Sequence, residues 1–367
     1  MDNRQWTVDV ENAKHFLHKI LGVDMLNLLK ELCDACGVTG FEKEVGGIIA
    51  EKIKYFCDEL YYDKAGNLIA FKKGKITPEK PVMYCAHMDE VGMMIKHIND
   101  DGTLLFDQVG MMPEVLPGKQ VLVGKNKIAG VICSKPVHLI KDKDKGVSAE
   151  NMYIDIGARS KSEAAKMGVY ADYACFKNEF TLFGNGKMIR SKALDDRIGC
   201  AAMVDMIIGG VKYDSYFVFS VGEEIGGVGA VAATREIKPG VCIVFESTTA
   251  SDLPCNEGAD MVCVPGNGPV CAFMDGGTMY DKKLYKTLRE IAAQNGIPTQ
   301  TKTKIAGGTD AASIQRSVDG VRVGIMSLAC RYIHTSSCVA AAADAENYFR
   351  LAHFIDENMG ELTGAVS

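Results

Sequence analysis

No apolar run in this chain is long enough to span a bilayer, and the start, Met1-Asp2-Asn3-Arg4-Gln5-Trp6, opens no apolar signal segment. A basic stripe is missing too: charges of both signs are interspersed and the net charge is -6. That balance argues against nucleic acid or an anionic membrane surface as a partner. There is no internal repeat and no low-complexity tract, which argues against a solenoid or a disordered array. A disulfide framework is not indicated either. The thirteen cysteines are odd in number and scattered, and Cys85, Cys242 and Cys271 sit within apolar runs where a thiol acts as a small hydrophobe. Cys33-Asp34-Ala35-Cys36 has a redox spacing but lies on an amphipathic helix rather than at a helix start, which speaks against a redox role. The expectation is a protein of a reducing cytoplasm.

What is present fits an α/β protein. With 367 residues, 47% of them hydrophobic, the chain suits one large domain plus a smaller one. Residues 1–22 read as an N-terminal extension. Helical spacing begins after Asp24 with Met25, Leu28, Leu29, Leu32, Cys33 and Cys36, and Gly37 offers a stop. A second helix is expected over 42–56, a hairpin over 60–71, and a buried strand over 81–86 leading into His87 and Asp89. From 99 to 186 the texture becomes short β-type runs punctuated by Gly, Pro and a solvated charged loop at Lys141–Lys145, with a helical stretch only at 162–167. This reads as a small β domain inserted into a frame made of residues 23–98 and 187–367. The frame resumes with a helix over 196–208, a central strand over 217–221, strands over 241–245 and 321–328, and helices after Leu284 and Asp344.

The central strand, Phe217-Val218-Phe219-Ser220-Val221, ends in Gly222-Glu223-Glu224-Ile225-Gly226-Gly227. Neighbouring side chains in a strand face opposite ways, so both glutamates serve one site only if the chain turns there, which the glycines permit. For a lone Glu-Glu pair a solvated turn is the simpler reading. Donors at four other element ends change the balance: His87 with Asp89, Asp195-Asp196 opening a helix, Glu246 ending a strand, and His334 after the last strand. Singly, each has a plain explanation, such as an N-cap for an Asp at a helix start. Jointly they form the imidazole and carboxylate mix that suits zinc, cobalt or manganese, and a metal pair needs one acid that bridges it. His97, His138 and His353 lack such context.

The segments Ala86-His87-Met88-Asp89-Glu90-Val91-Gly92, Ala193-Leu194-Asp195-Asp196-Arg197-Ile198-Gly199, Gly222-Glu223-Glu224-Ile225-Gly226, Gly307-Gly308-Thr309-Asp310-Ala311 and Arg331-Tyr332-Ile333-His334-Thr335 resemble the tetrahedral aminopeptidase family, which includes glutamyl aminopeptidases and whose members are often labelled cellulase M or endoglucanase. The match in order and spacing runs from about Leu26 to Ile355. The resemblance implies a zinc-peptidase-like mixed sheet flanked by helices, interrupted by a PDZ-like β domain with an oligomerisation role. It also implies two divalent metal ions, zinc first with cobalt or manganese as alternatives. By position, Asp195 would bridge them, His87 and Glu246 would complete one site, and Glu224 and His334 the other. Glu223 would be the general base activating a metal-bridging water, and Asp89 would orient His87. The family further suggests a cis bond between Asp195 and Asp196. Asp196, Thr309 and Asp310 are candidates to contact substrate or to back the ligands; for the latter two a glycine-rich structural turn is the other reading.

Two positions depart from the family pattern. Glu246 stands where Asp is usual, and Cys330 where Pro commonly precedes the Arg-Tyr-Ile-His segment. The implied activity is removal of N-terminal residues from short peptides, in homo-oligomers built from dimers up to a twelve-subunit tetrahedral particle. Competing readings are a metal-dependent carboxypeptidase or deacylase on the same ligands, a non-catalytic scaffold, and a glycoside hydrolase, which would need two opposed carboxyls and no metal.

Overall fold

The structure is a computed structural model that describes residues 24–134, 148–170 and 172–363. The expected extension, His138 and the Lys141–Lys145 loop lie outside the described residues. The chain opens with helices α1 (Met25–Asp34) and α2 (Lys43–Ile53), then strands β1 (Glu59–Tyr62), β2 (Leu68–Lys72) and β3 (Val82–His87). Asp24 starts α1 as its N-cap, its carboxylate accepting the Asn27 N–H at 3.2 Å. The helix ends at Asp34, ahead of Gly37, so Cys36 lies past it while Cys33 faces the core.

Six strands follow: β4 (Gly92–Ile98), β5 (Leu104–Val109), β6 (Gln120–Val123), β7 (Ile128–Ser134), β8 (Met152–Asp155) and β9 (Tyr173–Phe176), with the short helix α3 (Lys161–Lys166) between the last two. They close into a barrel in the order β4-β5-β8-β7-β6-β9, filled by Met93, Leu104, Phe106, Val121, Ile154 and Phe176. Closure removes the exposed edges that a small sheet would otherwise present. The barrel starts at Gly92, ahead of the boundary at 99. The change of composition marks only the turn after β4; the first half of β4, Gly92 to Ile95, reads as apolar like the frame strand before it.

The frame resumes with β10 (Thr181–Phe183), β11 (Met188–Ser191), α4 (Leu194–Gly209), β12 (Ser215–Ser220), α5 (Val228–Ile237), β13 (Val241–Thr249) and β14 (Val270–Cys271). It closes with α6 (Lys282–Gln294), β15 (Gln300–Thr301), α7 (Asp310–Gln315), β16 (Arg322–Cys330), β17 (Cys338–Ala341), α8 (Ala342–Glu357) and α9 (Met359–Thr363). Eight strands form one mixed sheet in the order β1-β2-β12-β3-β13-β16-β14-β15, with β12, β3, β13 and β16 mutually parallel. Helices cover both faces. Tyr84, Ile243 and Phe245 pack towards α1, α2, α4, α6 and α8, whereas Met83, Cys85, Cys242 and Val244 pack towards α5 and α7. This is the period-two alternation of a sheet buried on both sides, which explains why its strands read as continuous apolar runs. Helix α4, buried along nearly its whole length, packs against β3 and β13.

Because the four central strands run the same way, their carboxyl ends share one edge, the usual place for a ligand in such sheets. His87 ends β3, Glu223 and Glu224 follow β12, and His334 follows β16. Glu246 corrects the sequence reading. It sits inside β13 rather than at its end, because Ser247, Thr248 and Thr249 continue the pairing with Leu328, Ala329 and Cys330.

Candidate metal centre

Five donors gather at that edge in two groups that share one residue. His87 Nε2 lies 3.4 Å from Asp195 Oδ1 and 3.8 Å from Glu246 Oε2. His334 Nε2 lies 3.4 Å from Asp195 Oδ2 and 3.6 Å from Glu224 Oε2. Within each trio the donor atoms are all within 4.8 Å of one another. Bonds of ~2.1 Å to a tetrahedral cation place neighbouring donors ~3.4 Å apart, so these spacings fit a metal in each group. Asp195 directs one oxygen to each trio. Its Oδ1 is buried and has no hydrogen-bond partner, the state expected of an atom kept for a cation rather than for an N–H.

The backbone around Asp195 is built for this placement. Ala193 takes a left-handed conformation (φ 52°), the Asp195–Asp196 peptide bond is cis, and neither aspartate has helical dihedrals, although both fall within the first turn of α4. The glutamate turn is likewise specified locally. Gly222, at φ 69°, turns the chain out of β12 so that Glu223 and Glu224 occupy a short 3-10 turn. Gly110, from the barrel, passes so close that a Cβ there would lie 2.8 Å from Glu224 Oε2.

The charges agree with a cation site. Burial opposes the charged form of His87, yet Glu246, Asp195 and Asp89 hold its pKa well above the usual value. His334, opposed by burial but facing Asp195 and Glu224, is held up to about 9. Burial, with Asp310 and neighbouring acids, pushes Glu223 up to about 8; burial and Asp195 push Glu224 up to about 7. Glu246 is raised strongly by burial and Asp195, whereas Asp195 is lowered because the two imidazoles outweigh its burial. On protein charges alone these acids compete for too little positive charge, a deficit that divalent cations would fill.

The remaining expected residues divide. The carbonyl of Asp89 lies 3.1 Å from His87 Nδ1 and its carboxylate 3.5 Å away. That carboxylate also accepts Thr39 Oγ1 at 2.8 Å and the backbone N–H groups of Glu223 and Glu224, a contact with the glutamate turn that the sequence did not reveal. Asp196 is fully buried and accepts the Gly199 N–H at 3.1 Å. Thr309 caps α7, accepting the Ala311 N–H at 3.2 Å. Asp310 is buried, accepts Ser220 Oγ at 2.5 Å, and is pushed by burial up to about 6. Neither Asp196 nor Asp310 belongs to a donor trio.

Four supporting residues were missed. Tyr348 accepts the Glu246 N–H at 2.8 Å. Arg331 forks onto Asp252 at 2.8 and 2.5 Å, pinning the loop in which Tyr332 and His334 are both left-handed. Lys192 places Nζ 2.7 Å from both Glu90 oxygens and from the Ala35 carbonyl, while Arg197 bonds the carbonyls of Met88 and Leu32, all fully buried. The only sequence signal for these was charge inside otherwise apolar segments.

A cavity of ≈ 470 Å³ opens beside the centre, reached by Glu223, Glu224 and His334 and walled by Gly276, Gly307 and Arg316 among others.

Comparison with known proteins identifies a family for the chain. A family model described as M42 glutamyl aminopeptidase matches residues 66–351. The lysyl aminopeptidase of Pyrococcus furiosus is 34% identical over 343 residues, 90% of this chain and 96% of that protein. Among solved structures, a TET aminopeptidase from a marine sediment Thaumarchaeota archaeon matches with TM-score 0.88 at 30% identity, covering 94% of this chain and 99% of that one. The Pyrococcus horikoshii TET1 peptidase, described as able to assemble into a tetrahedron or a large octahedral shell, matches with TM-score 0.80 at 31% identity over 91% of this chain and 99% of its own.

Proposed function

The chain belongs to the M42 glutamyl aminopeptidase family and is an aminopeptidase, and from that premise we propose that it removes the N-terminal residue of short peptides with two divalent cations and Glu223 as the proton carrier. The observation that carries the two-metal reading is Asp195, whose oxygens face separate donor trios. His87 and Glu246 complete one site, Glu224 and His334 the other, and zinc, cobalt or manganese suits the donor mix. When bound, such a pair polarises the scissile carbonyl and makes the attacking water more acidic.

The chain supplies the rest. Glu223 belongs to neither trio, lines the cavity and is neighbour to Glu224, so it is free to move protons. It takes the proton of the attacking water and returns it to the departing amine. Asp89 fixes the turn that aims it. The longer arm of Glu246 is held by the backbone of the next residue: its Oε2 accepts the Ser247 N–H at 2.8 Å. A donor inside the strand thus still points at His87.

The barrel over β4–β9 is read as the assembly module of a homo-oligomer, supported by the TET1 assemblies. All thirteen cysteines are free thiols, which supports a reducing compartment such as the cytoplasm. Among the described residues no helix is long and apolar enough to cross a membrane.

A panel of aminoacyl-p-nitroanilides tests the function, assayed on metal-stripped protein with each divalent metal restored in turn. Turnover should depend on metal and vanish when the substrate's amine is acetylated. Turnover of the acetylated substrates alone would replace the aminopeptidase with a deacylase.

A further inference from the structure

A second pocket, of ≈ 190 Å³, lies where the barrel meets the frame. Lys119, Lys177, Glu179, Arg190, Ser336 and Ser337 line it. Its charge is unbalanced: there are three cations and one acid, and Glu179 is already engaged by Arg190 at 2.9 Å. Among the described residues, neither Lys119 nor Lys177 forms an ion pair with an acid. The two lysines are placed together by the barrel ladder, the Lys177 N–H donating to the Gln120 carbonyl at 3.0 Å. Arg190 is brought beside the serines because β11 pairs with β17, with Arg190 opposite Val339 and Ser191 opposite Cys338.

This pocket is tied to the metal centre by the loop that carries His334. Ser336 and Ser337 follow His334 by two and three residues, so they lie within ~7 and ~11 Å of it along the chain. The C-terminal carboxylate of a tripeptide cleaved after its first residue lies ~7 Å beyond the scissile bond. The serine hydroxyls fall within that range, and the lysine ammonium groups line the same pocket; both are groups that recognise a carboxylate.

Resting on the aminopeptidase reading, we propose that Lys119 and Lys177, with Ser336 and Ser337, bind the free C-terminal carboxylate of short peptide substrates. The site would select against long chains, whose carboxylate falls elsewhere, and against peptides blocked at the C-terminus. Lys119 and Lys177 are binding residues and take no part in the chemistry.

The test compares one tripeptide as free acid and as C-terminal amide, in wild type and in Lys119→Ala combined with Lys177→Ala. Taking the acid-to-amide ratio of kcat/KM within each protein cancels any general loss of folding or chemistry. Partly exposed charge pairs predict a preference of about fivefold for the acid in wild type, carried by KM. The preference should shrink as salt is raised and fall to about one in the double variant. A wild-type ratio near one, or a preference that survives in the double variant, overturns the proposal. Turnover of an aminoacyl-p-nitroanilide by wild type is read alongside. If that substrate is cleaved while acid and amide are equal, only the carboxylate site falls; if nothing with a free amine is cleaved, the aminopeptidase reading falls with it.

Discussion

The carboxylate of Asp89 accepts the backbone N–H of Glu223 at 3.1 Å, across 134 residues of sequence. A second bond, from the Glu224 N–H at 3.2 Å, fixes both ends of the acidic pair to the segment that follows His87. One side chain thus touches the surroundings of a candidate ligand and the turn that holds the proposed base. Replacing Asp89 by Asn swaps a charged acceptor for an amide whose N–H₂ cannot accept. Loss of charge-assisted hydrogen bonds at a buried site costs about 1.5–3 kcal/mol, so kcat should fall about 10- to 100-fold. Metal content, read by atomic spectroscopy, should stay near that of wild type. Loss of metal in proportion to activity would show that Asp89 acts only on His87.

Adjacent glutamates should separate cleanly. Glu223→Gln removes the proposed proton carrier and leaves both donor trios intact. Turnover should drop by about 10²- to 10⁴-fold with the metal count unchanged. Glu224→Gln and His334→Ala each damage the same trio, so both should lose one equivalent of metal and keep the other. Asp195→Ala should weaken both. Titration of stripped protein with cobalt, followed by its visible absorption, reads the count directly. Equal metal loss in the Glu223 and Glu224 variants would contradict the division of labour.

The candidate donors stand out in the sequence because they fall at or near element ends, where hydrophobic periodicity stops and a His, Asp or Glu is conspicuous. His87, Asp195, Glu224 and His334 were legible for that reason. Glu246 was legible as a residue but not as a position: Ser-Thr-Thr after it looked like a loop, while the partner strand β16 carried the ladder on to Thr249. Contacts such as Asp89 with the glutamate turn, or Arg331 with Asp252, join distant segments through side chains, and no local pattern encodes them. The barrel's start was hidden because the first residues of β4, Gly92 to Ile95, continue the apolar texture of the frame.

Arg316 is the one permanently charged cation among the groups lining the main cavity, otherwise walled largely by glycines and small residues. Its Nε is fixed to the Ala312 carbonyl at 3.0 Å, leaving the rest of the guanidinium for a ligand. An acidic N-terminal side chain should therefore be preferred over a lysine, in contrast to the lysyl aminopeptidase of Pyrococcus furiosus. Arg316→Glu should reverse the preference, with a combined change of about tenfold or more in the ratio of glutamyl to lysyl p-nitroanilide kcat/KM at low salt. An unchanged ratio would place Arg316 outside the side-chain pocket.

Asp356 belongs to neither donor trio and offers a prediction on stability rather than activity. It is buried on α8, where its carboxylate accepts the Lys212 N–H at 2.6 Å and Tyr84 Oη at 3.2 Å. Burial prevails over those bonds and over nearby His353, raising its pKa to about 6. An unfolded aspartate titrates near ~3.9, so between the two values the folded chain binds more protons than the unfolded one. Its contribution is fully present below the unfolded pKa and is lost as pH rises through about 6, a penalty of about 3 kcal/mol by pH 7.5. Asp356→Asn keeps an acceptor oxygen and has no charge to bury. About half of that penalty is already present at pH 5, so the melting temperature of the variant minus that of wild type should become more positive by about 2 degrees between pH 5 and pH 7.5. The sign of the change matters more than either absolute value, because lost hydrogen bonds offset both ends of the comparison equally. A difference that stays flat over that range would mean that Asp356 reaches solvent in the folded protein.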